Sequence, residues 1–345
     1  MIRDQIKTKR KVQQLGASTL AVTLPAEWVH EQGIEKGEEV IIQRDESGGS
    51  LLVVPDEPSD GDRSVAIDAD GMSREALERA VVAQYVLGRQ IITVDSERAL
   101  ESEHYDGILD AEQRLIGLGV VEETEHRITI RCSVAPGDFE LPQLLERLGR
   151  TESSMRSDAF GAFLDGDGAR ARRAKKRERR MDKLFSLFLR LVFTTYRNPR
   201  LNQSVGLETG FPLIGYRSAA WSLVLMADTA RHTAELAADA DGETVEGTTR
   251  ERLESGIDAM DRAVEASLAA AIDPTYEGIE AANEALEAAN AECAAIREYI
   301  ETERPERAVV LDRVVIYLLQ IGTYAAGVSD VATHLVFRQR PEDVP

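Results

Sequence analysis

The chain has 345 residues, 43% of them hydrophobic, which is enough for two or three domains with cores of their own and excludes a disordered chain. It carries 61 acidic against 41 basic residues, for a net charge of -20, and its only lysines are Lys7, Lys9, Lys11, Lys36, Lys175, Lys176 and Lys183. Cys132 and Cys293 stand far apart with no CxxC spacing or paired histidines, which excludes a zinc ribbon or a disulfide framework and leaves two inert thiols.

The start of the chain is crowded with Arg3, Asp4, Lys7, Lys9, Arg10 and Lys11, and no apolar run reaches the roughly 18 residues of a membrane helix. The expectation is a cytoplasmic protein without membrane insertion. Leu20, Val22 and Leu24 alternate with Thr19, Ala21 and Thr23, the period of a half-buried strand. Pro25 suits the first turn of a short helix over Ala26 to Gln32, which Gly33 ends. A strand over Glu39 to Gln43, the turn-forming Asp45 to Gly49 and a strand over Leu51 to Val54 make a hairpin. Strands this few and this short cannot close a core alone, so a second copy must complete it.

A linker, Asp56 to Asp62, follows. Val65 to Ile67 and Ile91 to Val94 are predicted strands, Ser73 to Leu87 and Tyr105 to Ile116 predicted helices, and Val120-Val121 with Ile128 to Ile130 a hairpin: a small α+β domain. It holds no phosphate-binding loop. From Pro136 the periodicity is helical. Leu141, Leu144, Leu148 and Met155 mark one helix, Met181, Phe185, Phe188 and Val192 a second, and Ile214, Trp221, Val224 and Leu225 a third. Leu253 to Leu268, Ile279 to Ile300 and Val310 to Leu335 carry three more stripes with spacings of three and four, the seam of an antiparallel bundle. The predicted organisation is a β-rich domain at 1–58, an α+β domain at 62–135, and three-helix units at 138–242 and 243–345.

Arg10-Lys11-Val12, Leu15-Gly16, Ser18 to Trp28, Gly33, Gly37 and Leu51 to Pro55 together resemble the swapped-hairpin DNA-binding domain of the AbrB type. That resemblance implies that two chains interleave their hairpins in a homodimer that binds DNA. The helical part, with Arg180 to Phe185, Leu225 to Ala230 and Leu319 to Ala325, resembles the archaeal PhoU-type phosphate uptake regulator. The resemblance implies a multidomain regulator of phosphate uptake, non-enzymatic, with a phosphate transporter subunit or another acidic protein as partner. Alternatives are a carboxylate bundle with a hydrolase or metal-storage role, and a dimeric interaction protein that acts on a transporter without DNA.

The DNA-binding candidates are Arg3, Lys7, Lys9, Arg10 and Lys11, a basic arm anomalous in so acidic a chain. Ala17, Ala26 and Glu27 stand where the resembled family often has basic residues, which shifts phosphate contact onto the arm. Family members carry an E/D-x-x-x-D signature that holds metal. Glu178 and Asp182 have that spacing here, and Asp228 and His232 are candidates to face them, Asp228 from the apolar seam. Oxygen ligands suit Mg, Mn or Fe. Val224, Leu319 and Thr323 replace acids of the signature, so the second helical unit is expected to bind none. Arg170, Arg172, Arg173, Lys175, Lys176, Arg177, Arg179 and Arg180 form a second basic island, open to reading as a solvated face or as a contact for DNA or an acidic partner. His30, His104, His126, His232 and His334 show no HxxxH or HExxH relation, and no nucleophile motif accompanies them. An acidic, arginine-rich surface of this kind resembles that of proteins working in molar salt, where the Debye length falls to about 3 Å.

Overall fold

The computed structural model describes residues 9–44, 51–55, 64–198, 201, 203–207, 211–240 and 242–338. The chain divides into two compact units, Met1–Ser64 and Val65–Pro345.

In the first unit, β1 (Gln13–Gln14) pairs antiparallel with β2 (Leu20–Ala21), and the Leu15 N–H donates to the Thr19 carbonyl at 3.0 Å to close the turn. The strand predicted through Leu24 is thus only two residues long, paired among the described residues with Gln13 and Gln14. Pro25 caps α1 (Ala26–Glu31). Gly33, at φ 68°, allows the chain to reverse so that the Ile34 N–H reaches the Val29 carbonyl. Strands β3 (Val40–Arg44) and β4 (Leu51–Pro55) form the expected hairpin, in register from Val40 opposite Pro55 to Arg44 opposite Leu51. The turn at 45–50 lies outside the described residues. Among the described residues of this unit, none is buried.

The second unit opens with a four-stranded sheet ordered β5 (Ser64–Asp68), β6 (Ile91–Asp95), β8 (Arg127–Cys132) and β7 (Leu118–Glu123). β8 pairs antiparallel with both neighbours, and β7 slips by one residue between Val120 and Glu122. Inward-facing Ile67, Ile92, Val94, Ile128 and Ile130 share one apolar cluster with Leu77, Val81 and Tyr85 of α2 (Arg74–Val86) and Ile108 and Ala111 of α3 (Ser102–Arg114). Ser73 caps α2 as expected, its Oγ accepting from the Ala76 N–H. Helix α3 starts a turn before its predicted beginning, where His104 Nδ1 accepts from the Glu101 N–H and the His104 N–H donates to the Glu101 carbonyl.

The rest is helical: α4 (Leu141–Asp165), α5 (Gly168–Arg197) and α6 (Phe211–Asp239) pack into one trio, and α7 (Gly247–Ile272), α8 (Tyr276–Glu303) and α9 (Ala308–Phe337) into another. The trios join mainly where α6 lies on α9. Of the described helices α9 is long and apolar enough to cross a membrane by length and composition, with a mean hydropathy of 1.4, which corrects the expectation that no such run exists. Its apolarity fills the bundle instead: Leu311, Val314, Leu318, Ile321, Val328 and Leu335 are buried on helices α6, α7 and α8.

A buried guanidinium ties the sheet layer to the bundle. Arg190 of α5 is 3% exposed and donates to the carbonyls of Tyr85 at 2.6 Å, Arg89 at 2.9 Å and Gly88 at 3.5 Å, where α2 ends. Its plane also lies 4.9 Å from the centre of the Tyr85 ring. Burial pulls its pKa below the ordinary arginine value, an effect that Cys132 and Tyr85 oppose. Gly88 has φ 89°, and a Cβ there would stand 2.6 Å from Thr194 Oγ1, so both the turn and the approach of α5 require glycine. Replacing Arg190 by Met should lower the unfolding free energy by about 1–3 kcal/mol in urea titrations, since it takes a donor from the carbonyls of Gly88 and Arg89, whereas that of Tyr85 keeps the Gly88 N–H. Cys132 and Cys293 are both buried, and burial pushes the Cys293 thiol up to about 11. Neither thiol should react with a disulfide reagent at pH 8 until denaturant is added, and early labelling would contradict this packing.

Candidate functional site

Two groups of residues carry candidate chemistry. In the first unit Lys9, Arg10 and Lys11 are exposed and run straight into β1, while Arg3 and Lys7 lie outside the described residues. Large apolar side chains of this unit are exposed as well: Val12 by 62%, Leu15 72%, Leu20 68%, Ile42 61% and Leu51 66%.

In the first helical trio, Glu178, Asp182 and Asp228 line one cavity of 180 Å³ with Met155, Met181 and Trp221. Phe185 stands against Trp221 with ring centres 5.6 Å apart. Asp228 does not lie on the apolar seam that its spacing from Val224 and Trp221 predicts: its side chain is 50% exposed. The buried seam of α6 runs through Leu223, Met226, Ala227 and Ala230, so Trp221 and Val224, which set the predicted phase, lie at its margin.

Arg231 is the hub that sequence reasoning missed. It donates to Asp228 at 2.7 Å and Glu235 at 2.8 Å, meets Glu178 at 3.5 Å, and has His232 Nε2 2.7 Å away. Lys175 adds a contact to Glu235 at 3.3 Å. The signal was present as an arginine three residues after one acid and four before another. His232 turns away from the cavity, stacking on Tyr317 of α9 with ring centres 6.0 Å apart. Asp182 stands apart from this cluster, 4.0 Å from Arg114 of α3. A divalent cation needs several anionic oxygens converging on one point. Here a guanidinium holds that position, and among the described residues no three His, Cys, Asp or Glu side chains gather closely enough to hold a metal. The donor set does not fit Mg, Mn or Fe.

Half-burial raises the Asp182 carboxyl above the ordinary aspartate range, with Arg114 opposing. A folded-state pKa above the unfolded one means that the ionised form is penalised in the fold. The penalty is complete above the folded pKa and disappears below the unfolded value of about 3.9. Asp182→Asn should therefore raise Tm at pH 7, and the gain over the parent should shrink as pH falls through the folded pKa toward 4. A gain that grows on acidification would reverse this assignment.

The architecture defines a class: a β-rich hairpin unit that exposes its apolar side chains, followed by a unit whose helices form tandem bundles. Residues 13–60 match the family model described as antidote-toxin recognition MazE, bacterial antitoxin, and residues 145–237 match the PhoU domain. The chain thus carries a PhoU domain behind a domain of the MazE/AbrB type. A solved structure, the crystal structure of PhoU from Pseudomonas aeruginosa, is similar at 14% identity and a TM-score of 0.46, over 58% of this chain and 96% of that one. No curated protein matches the chain.

Proposed function

We propose that the chain is a non-enzymatic regulator of phosphate homeostasis that binds DNA as a homodimer. The first unit supplies dimerisation and the DNA contact, and the helical unit engages a partner such as a phosphate transporter subunit. The PhoU match at 145–237 supports the phosphate reading, and the MazE match at 13–60 supports DNA binding. One observation carries the proposal most directly: Leu15, Leu20 and Leu51 are each about two-thirds exposed or more in the unit that also exposes Lys9, Arg10 and Lys11. Covering that surface with a second copy removes apolar area from water and sets two basic arms on one particle. The carboxylate-bundle reading is disfavoured by Arg231, which neutralises Glu178 and Asp228.

Footprinting of the full chain on the DNA upstream of its own coding region, in potassium chloride, tests the DNA contact. Replacing Lys9, Arg10 and Lys11 by alanine removes up to six cations from a dimer. The slope of log K against log salt should flatten by up to about 5, at about 0.9 per phosphate contact. An unchanged slope would sink the DNA contact assigned here. Leu20→Glu should halve the particle mass in light scattering, and a dimer that survives it would move the interface elsewhere.

A further inference from the structure

Helix α5 carries nine cations between Arg170 and Lys183, and the fold sorts them by direction. Arg170 and Arg177 turn toward α4 and pair with Asp158, and Arg170 also reaches Asp165. Lys175 turns toward α6 and pairs with Glu235. Arg173 acts on the capping carboxylate of Asp167. At 100° per residue the remaining five, Arg172, Lys176, Arg179, Arg180 and Lys183, fall within an arc of about 100°. None of these five makes an ion pair or a hydrogen bond among the described residues; four are exposed and Lys183 is half-exposed. The acids of the same stretch point elsewhere, Glu178 toward Arg231 and Asp182 toward Arg114.

Such a stripe is costly in isolation. Like charges four residues apart, as in Arg172 with Lys176, Lys176 with Arg180 and Arg179 with Lys183, weaken a helix. In a chain of net charge -20 with 61 acidic residues, the lack of an ion-pair partner among the described residues singles this face out. Its chemistry also narrows the partner. The arc offers Ala169 and cations along its length to Lys183, because Met181, Leu184 and Leu187 are buried in the trio. Apolar side chains that insert strengthen a bilayer contact, and an apolar centre strengthens a protein interface. A polyanion needs neither, and the guanidinium groups of Arg172, Arg179 and Arg180 match phosphate oxygens in bidentate fashion. From Arg172 to Lys183 the stripe runs about 17 Å, the length of a duplex segment that carries about ten phosphates on its two strands together, about five on each.

We infer that the α5 stripe is a second contact for the phosphate backbone of duplex DNA, made by the helical unit in addition to the basic arm of the first. The inference rests on the DNA-binding reading above. The test uses the full chain with Arg172, Lys176 and Arg180 replaced by alanine, and a control with Lys175 and Arg177 replaced, which face α6 and α4. Circular dichroism and thermal unfolding confirm that each variant is folded. Binding to a 60-base-pair random duplex is titrated from 50 to 400 mM potassium chloride.

The stripe variant should bind about tenfold more weakly at 200 mM, with the salt slope flattened by up to about 3 per protomer, and the control should follow the parent. If the stripe variant keeps the parental affinity and slope while the Lys9-Arg10-Lys11 variant loses binding, the second contact is overturned and the DNA-binding reading stands. If the parent binds no duplex, both are overturned. If the stripe variant instead loses affinity for polyphosphate or for phosphatidylglycerol vesicles with duplex binding intact, the stripe belongs to that anion and this assignment fails.

Discussion

The junction between the sheet layer and the helices depends on one charged group buried among carbonyls. A helix ends with carbonyls that no N–H of its own can satisfy, and α2 ends where the bundle covers it. Arg190 supplies donors to the carbonyls of Tyr85, Gly88 and Arg89 from a single planar group. The negative end of the α2 dipole favours a cation there, which offsets the loss of its hydration. Tyr85 is held in turn, its hydroxyl donating to the Ile116 carbonyl at 2.9 Å. One side chain thereby fixes α2, the turn at Gly88 and the segment leading into β7.

With α5 anchored in this way, each direction around it acquires its own task. Arg190 points to α2, Leu184, Leu187, Phe188 and Leu191 point into the apolar core, and Arg170 and Arg177 reach acids of α4. Glu178 meets Arg231 of α6. Nearer the start of the helix, the side that carries Leu187 and Arg190 further on holds the cationic stripe from Arg172 to Lys183. Elsewhere in the bundles the general rule is neutralisation of acids by arginine. Arg156, 1% exposed, pairs within α4 with the wholly buried Glu152 at 2.8 Å and crosses to Asp261 of α7. A buried carboxylate without such a partner would be expensive. The same pairing in the Arg231 cluster leaves no vacant set of oxygens for a cation.

The first unit has the opposite problem. Its strands and its six-residue helix bring aliphatic side chains together without enough chain to cover them, since so little backbone cannot fold around a centre. Association is the remaining way to take that surface out of water. A polyanion is repelled by most of so acidic a chain and attracted at its two basic islands, one in each unit.

Residue order alone determined the local structure. The alternation around Leu20, the glycines at 33 and 37, Ser73 before α2 and the three-four spacing from Leu253 to Leu335 are read over a few neighbours, and periodicity and capping act at that range. The basic arm and the spacing of Glu178 and Asp182 were legible for the same reason. Tertiary structure decided everything that depends on a distant partner. Arg190 lies 105 residues from Tyr85, and only the packing of α5 against α2 reveals it as a cap and not a surface charge. The phase of α6 was set by α4, α5 and α9 together, which moved Asp228 from the seam to the surface and brought Arg231 among the acids. Which side of α9 is covered was also decided there: Leu311, Val314, Leu318 and Ile321 are buried against its neighbours, while Val309, Ile316 and Phe337 stay exposed. Periodicity says that a helix has a buried side; the neighbours that fill that side, and the charges they bring, are fixed only when the helices meet.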